Sequence, residues 1–226
     1  MKLVIFDCDG TIVDSQNGIY EAMVHAYGVL GIEPPKRFET IAIIGLSLPE
    51  AFAVLASSES DATRRELARH YKNAFMDMKR DPAHHEPLFP GAAHVIESLA
   101  AREDIRLGIA TGKSQRGVVR LFDREGWHPH FVTVQTADDH PSKPHPSMIL
   151  AAMADAGVGP SRTVMIGDTT YDIEMARAAG VGAVGVTWGY HAPPLLDGAG
   201  AHVLVDEYSQ LPAVIDRLIE ELEAAA

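Results

Sequence analysis

From residue 92 onward, short apolar strands alternate with helices of about ten residues, the pattern of βαβ units. Helix 92–102 leads to a strand at 105–110, helix 115–125 to one at 131–135, helix 146–156 to one at 163–166, and helix 171–179 to one at 182–186. A last strand at 201–205 precedes a helix over 208–223. Strands joined by helical crossovers run parallel, and a parallel sheet is covered by helices on both faces. The N-terminal run at residues 3–6 is apolar without alternation, so it reads as one more strand buried on both sides. The stretch between differs. Ile19, Met23, Ala26, Tyr27 and Leu30 recur at helical spacing over 16–31, and helical stretches follow at 37–44, 48–56 and 62–78. Only 40–44 is ambiguous with a strand. Ser60 or Asp61 is the expected N-cap of the last helix. A proline-rich return follows at 81–91. The chain is expected to form a doubly wound, mostly parallel, Rossmann-like α/β core from residues 1–15 and 82–226, with an all-helical domain inserted over 16–81. Its 226 residues, 46% of them apolar, suffice for that core.

The polar residues worth explaining fall where these strands end. The first strand runs into Asp7-Cys8-Asp9-Gly10-Thr11, the second into Thr111-Gly112, and a later one into Gly167-Asp168. Lys143 lies in a loop just before a helix. In a parallel sheet these ends share one edge, where open α/β sheets bind their ligands. Three carboxylates there repel one another unless a cation joins them. With no histidine or cysteine in the set, the donors are hard oxygens, which favours Mg²⁺. Thr111 and Lys143 offer a hydroxyl and a positive charge to an anion, and Gly112 lets a backbone N–H approach it at a helix start. A metal, a lysine and N–H groups around one anion are what phosphoryl transfer requires. Asp7 and Asp9, two apart on an extended strand, share a face. One of such a pair can attack phosphorus and the other can move protons.

Net charge narrows the partners. Thirty-one acidic against 19 basic residues give −12, which disfavours nucleic acid. No apolar run is long enough to span a membrane. The single cysteine, Cys8, excludes an internal disulfide, and Met1 leads straight into the first strand. A cytoplasmic protein is therefore expected, as a monomer or a homodimer.

Four motifs in this order and spacing, Asp7-Cys8-Asp9-Gly10-Thr11, Thr111-Gly112-Lys113, Lys143-Pro144 and Gly167-Asp168-Thr169-Thr170-Tyr171-Asp172, resemble the haloacid dehalogenase superfamily. The chain looks like its phosphatases that carry a helical cap after the first strand, and the likeness covers essentially the whole chain. It implies Asp7 as nucleophile and metal ligand. Asp9 would be the general acid/base and ligate Mg²⁺ through its main-chain carbonyl. Thr111, Gly112 and Lys143 would bind the phosphate, Asp168 would be the remaining metal ligand, and Asp172 would orient the metal's waters or Lys143. An aspartate at position 9 favours phosphate esters over carbon–halogen or carbon–phosphorus bonds. The segment Ile44-Gly45-Leu46-Ser47-Leu48-Pro49-Glu50 resembles the loop that closes over the core, and Asp14-Ser15 makes the chain look closest to phosphoglycolate phosphatases. The implied reaction is Mg²⁺-dependent hydrolysis of a small phosphorylated metabolite through an aspartyl-phosphate. Two alternatives stand: a phosphosugar mutase like β-phosphoglucomutase, and a phospho-aspartate signalling domain that does not turn over.

Other polar residues carry plainer expectations. Cys8 alternates away from the aspartates and reads as core packing. His84-His85, His128 with His130, and His140 with His145 lack zinc spacing. His191 reads as loop packing. Arg64-Arg65 and Lys79-Arg80 read as solvated helix faces that could alternatively meet an anionic substrate.

Overall fold

A computed structural model describes residues 1–78 and 86–225. It opens with β1 (Lys2–Phe6), followed by α1 (Gln16–Val29), α2 (Arg37–Ile41), α3 (Leu48–Leu55) and α4 (Asp61–Met78). The alternating part runs α5 (Ala92–Ala100), β2 (Ile105–Thr111), α6 (Gln115–Glu125), β3 (Phe131–Thr136), α7 (Ser147–Ala156), β4 (Thr163–Gly167), α8 (Thr170–Ala179), β5 (Gly182–Val186), α9 (Pro193–Gly198), β6 (Val203–Val205) and α10 (Leu211–Ala225). The six strands form one parallel sheet in the order β3-β2-β1-β4-β5-β6.

The central place of β1 follows from its residues. Leu3 and Ile5 join the core on one face with α7, α8 and α9, while Val4 and Phe6 join the other with α5, α6 and α10. All four are fully buried, each stabilising the fold by about 1.5–3 kcal/mol. The element that carries Asp7 is thus held from both sides. The chain adds β2 and β3 on one side of β1, then returns to add β4, β5 and β6 on the other. The order reverses between β1 and β4, and the crevice at a reversal is where such sheets bind ligands.

Helices α1 to α4 bury a separate cluster of Met23, Ala26, Tyr27, Ile43, Ala51, Phe52, Ala56 and Leu67. Ser60 caps α4 by accepting from the Thr63 amide at 3.1 Å. Segment 40–44 is not a strand: Thr40 and Ile43 bury their β-branched side chains, Ile43 in this helical cluster. Two other expectations change. Helix α9 is an element that the sequence pattern does not mark; Pro193 and Pro194 fill its first turn, where proline is well placed. The final helix begins at Leu211, after a 3₁₀ turn at 208–210. Lys79, Arg80, Asp81, Pro82, His84 and His85 lie outside the described residues. Among the described residues, no helix is long and apolar enough to cross a membrane.

Candidate active site

Asp7 follows β1 directly, and its amide extends the ladder to the Ile166 carbonyl at 3.0 Å. Its Oδ1 accepts from the Cys8 amide at 2.7 Å and faces Lys143 Nζ at 3.0 Å. Its Oδ2 is buried and has no hydrogen-bond partner. The next residues turn tightly, with the Ile12 and Val13 amides returning to the Cys8 carbonyl. Gly10 makes the turn possible at φ +88°, and a side chain there would overlap the Asp168 carboxylate. Asp168, just past β4, is fixed by Thr11 Oγ1 at 2.8 Å and the Tyr190 amide at 2.9 Å. Asp172 lies in the first turn of α8. Its Oδ2 accepts from Thr169 N and Oγ1 at 3.0 and 2.7 Å, and its Oδ1 accepts from Lys143 Nζ at 2.6 Å.

The three carboxylates of Asp7, Asp168 and Asp172 are buried, with oxygens within 4.8 Å of one another. Lys143 offsets one of their charges, leaving two. Burial and the neighbouring Asp172 and Asp7 push the Asp168 carboxyl well up. Burial likewise raises Asp7 to about 6, with Asp172 and Asp9 adding to it and Lys143 opposing. For Lys143, burial disfavours the charge, but Asp172 and Asp7 outweigh it and hold the ammonium protonated. Two uncompensated charges and all-oxygen donors fit a divalent hard cation such as Mg²⁺. Both oxygens of Asp172 already accept from protein donors, whereas Asp7 Oδ2 is open.

Asp9 stands apart from that group. Its carboxylate pairs with Lys113 Nζ at 2.7 Å, and Lys113 also meets Glu86 at 3.2 Å. Burial works against the charge on Lys113, and Asp9 and Glu86 reverse that. The sequence motifs include Lys113 without giving it a role, and they do not include Glu86. Lys113 had a detectable signal, since Asp9 had no cation assigned to it and a lysine follows Thr111-Gly112 directly. Glu86 had none, lying in the proline-rich return. Cys8 is buried in the core, and burial with the flanking carboxylates pushes its thiol well up, so it is inert.

Asp7, Asp9, Thr111, Gly112 and Lys113 face a cavity of about 540 Å³, closed on its far side by residues of α1, α3, α4 and the loop 43–47. That loop is seated on the sheet edge. A Cβ on Gly112 would come within 2.7 Å of the Gly45 carbonyl oxygen and 2.9 Å of that of Leu46. The Ser47 amide donates to Ser142 Oγ at 2.8 Å. Tyr171 donates to the Ala42 carbonyl at 3.1 Å. His191 does more than pack its loop: Nδ1 accepts from the Thr170 amide, so Nε2 carries the proton it donates to the Ala42 carbonyl. It ties the loop before α3 to the strand end that holds Asp168. Arg64 turns instead to Asp61 and the Ala56 carbonyl, and neither it nor Arg65 lines the cavity.

A family model described as haloacid dehalogenase-like hydrolase matches residues 4–186. The chain is 37% identical over 223 residues to a protein of Dickeya dadantii named probable phosphatase IndB, covering 96% of this chain and 95% of that one. It is 30% identical to a protein of Rhodospirillum rubrum named phosphoglycolate phosphatase, covering 93% and 89%. Among solved structures, a hydrolase from Pseudomonas syringae superposes with a TM-score of 0.84 at 25% identity, covering 96% of this chain and 99% of that one.

Proposed function

The chain belongs to the haloacid dehalogenase-like hydrolases, and from that premise we propose that it hydrolyses a small phosphate monoester, with Mg²⁺, through an aspartyl-phosphate on Asp7. The observation that carries this is the Asp7 carboxylate: its Oδ2 is buried and unpartnered while its Oδ1 is held by Cys8 N and Lys143. A fixed carboxylate with one free oxygen at a cavity floor is arranged to attack. Relatives named phosphatase and phosphoglycolate phosphatase support the same reaction class.

Asp7, Asp168 and the main-chain carbonyl of Asp9 would hold the metal. Bound there, Mg²⁺ would neutralise charge on the phosphoryl oxygens. Lys143 and the Thr111 hydroxyl bind the phosphate, and Gly112 gives the backbone close access to it. Asp172 keeps Lys143 charged and aimed. Asp7 Oδ2 attacks phosphorus, the bond to the leaving oxygen breaks, and Asp9 gives that oxygen a proton. Water then attacks the phosphorus of the aspartyl-phosphate, Asp9 takes its proton, and the carboxylate of Asp7 is released with inorganic phosphate. Residues 16–81 act as a cap that excludes water in the first step and admits it in the second. We assign a small phosphorylated metabolite rather than nucleic acid as partner, on the net charge of −12, and the cytoplasm as compartment, on the lone buried thiol.

The test is multiple-turnover release of phosphate from p-nitrophenyl phosphate with Mg²⁺, abolished by a chelator. A stable one-to-one phosphoprotein would instead make the chain a signalling domain, and dependence on a bisphosphate activator would make it a mutase. Asp9→Asn is expected to lower kcat by about 10²–10⁴-fold. The loss is expected to be larger with an alkyl phosphate, whose alkoxide needs the proton, than with p-nitrophenyl phosphate. Equal losses with both would remove the acid role. Gly112→Ala must lift the loop at Gly45 and Leu46, and kcat/KM is expected to fall by about 10²-fold. Steady-state rates beside an unchanged circular dichroism spectrum check this.

A further inference from the structure

Building on the phosphatase reading, we infer that the leaving group of the natural ester carries a planar ring, aryl or heteroaryl. The geometry starts at Asp9, which must face the leaving oxygen. Asp9 is paired with Lys113, and Lys113 Nζ lies 6.0 Å from the centroid of the Phe75 ring. Phe75 stacks on Tyr71, with centroids 5.8 Å apart and planes 16° from parallel. The leaving group therefore enters the cavity along an aromatic wall. Apolar residues beside that wall include Ile19, Met23 and Leu48 from the helices and Ile43 from the loop. Flat rings pack well against aromatic faces, and thioethers such as Met23 contact ring edges favourably.

Size and charge agree. The cavity of about 540 Å³ is in the range that holds ring-sized ligands. A two-carbon carboxylate such as glycolate would leave that wall wet. Of the cations that line the cavity, Lys113 is already shared between Asp9 and Glu86, and Lys72 and Arg116 stand at its exposed side, so a short carboxylate has no cation to meet along the aromatic wall itself. Lys72, Arg116 and Arg120 line the exposed side of the cavity. They offer a local route for a phosphate dianion into a protein of net charge −12.

The experiment measures kcat/KM for the full chain with Mg²⁺ on four esters: 2-phenylethyl phosphate, a nucleoside 5′-monophosphate, ethyl phosphate and 2-phosphoglycolate. All four leave as alkoxides, which separates the effect of the ring from aryl leaving-group acidity. At least one ring-bearing ester is expected to exceed both ring-free esters by about 100-fold. Whichever ring ester leads says whether the wall takes a hydrocarbon or a polar heteroaryl ring. Phe75→Ala is expected to bring the ring-to-ethyl ratio down to about 10. Ring-free esters turned over as fast as ring-bearing ones would overturn the inference and leave the phosphatase reading standing. No hydrolysis of any ester, p-nitrophenyl phosphate included, would overturn both.

Discussion

Asp7→Asn is expected to fold normally and to lose at least about 10⁴-fold in turnover. An amide keeps the shape of the side chain but not its nucleophilicity, and among the described residues that line the cavity no other buried side-chain oxygen lacks a partner. Stability should move the other way. The folded carboxyl titrates at about 6 against an ordinary 3.8, burial being the main cause. Between those values the folded metal-free protein holds a proton that the unfolded chain has released. Its stability therefore falls as pH rises through that window, and the penalty persists above it. Asn removes the penalty. In the absence of metal, Asp7→Asn should melt at or above the wild type at pH 7, and the gap should narrow toward pH 4. Added Mg²⁺ should raise the midpoint of the wild type more than that of the variant, because a ligand has been lost. A variant keeping a tenth of wild-type turnover would dismiss Asp7 as nucleophile, whatever its melting behaviour.

The parts of this site that could be read in the sequence are those where one element type gives way to another. Residues 3–6 announce a buried strand because apolar residues lie on both of its faces, and the change to Asp7 marks its end. Thr111 and Asp168 stand out for the same reason. Lys143 has no such signal in its own loop and is found through the motif around it. What sequence spacing could not supply is pairing across the sheet edge. Lys113 and Lys143 are both lysines near strand ends, yet one serves Asp9 and Glu86 and the other serves Asp7 and Asp172. That choice depends on which strand ends and loops the sheet order brings together, which no local pattern encodes. The carboxylates that gather are likewise Asp7, Asp168 and Asp172, while the side chain of Asp9 turns aside to its own cation. His191 was undervalued for a related reason. Its role is to span two parts of the chain, and only the fold brings Ala42 to it.

Lys143→Met is expected to give the largest loss of stability of any single change in the site. The side chain of Lys143 is fully buried, 2.6 Å from Asp172 and 3.0 Å from Asp7. Removing it leaves three buried carboxylates with no cation in contact among the described residues. Breaking a buried pair from one side costs about 3–5 kcal/mol. For a chain of this length each kcal/mol lowers the midpoint by about 2–4 °C, so the metal-free variant should melt about 6–20 °C below the wild type. Turnover should fall by about 10²–10³-fold as well, if the Lys143 charge binds the phosphate as proposed. Two further measurements separate this cause from simple loss of packing. Mg²⁺ should stabilise Lys143→Met more than the wild type, because the site now carries one more uncompensated charge for the ion to meet. The double variant Lys143→Met, Asp172→Asn should recover part of the lost stability, because it also removes a carboxylate left unpaired, but none of the lost turnover. If the double variant is less stable than Lys143→Met alone, Lys143 acts through packing and not through the charges of Asp7 and Asp172.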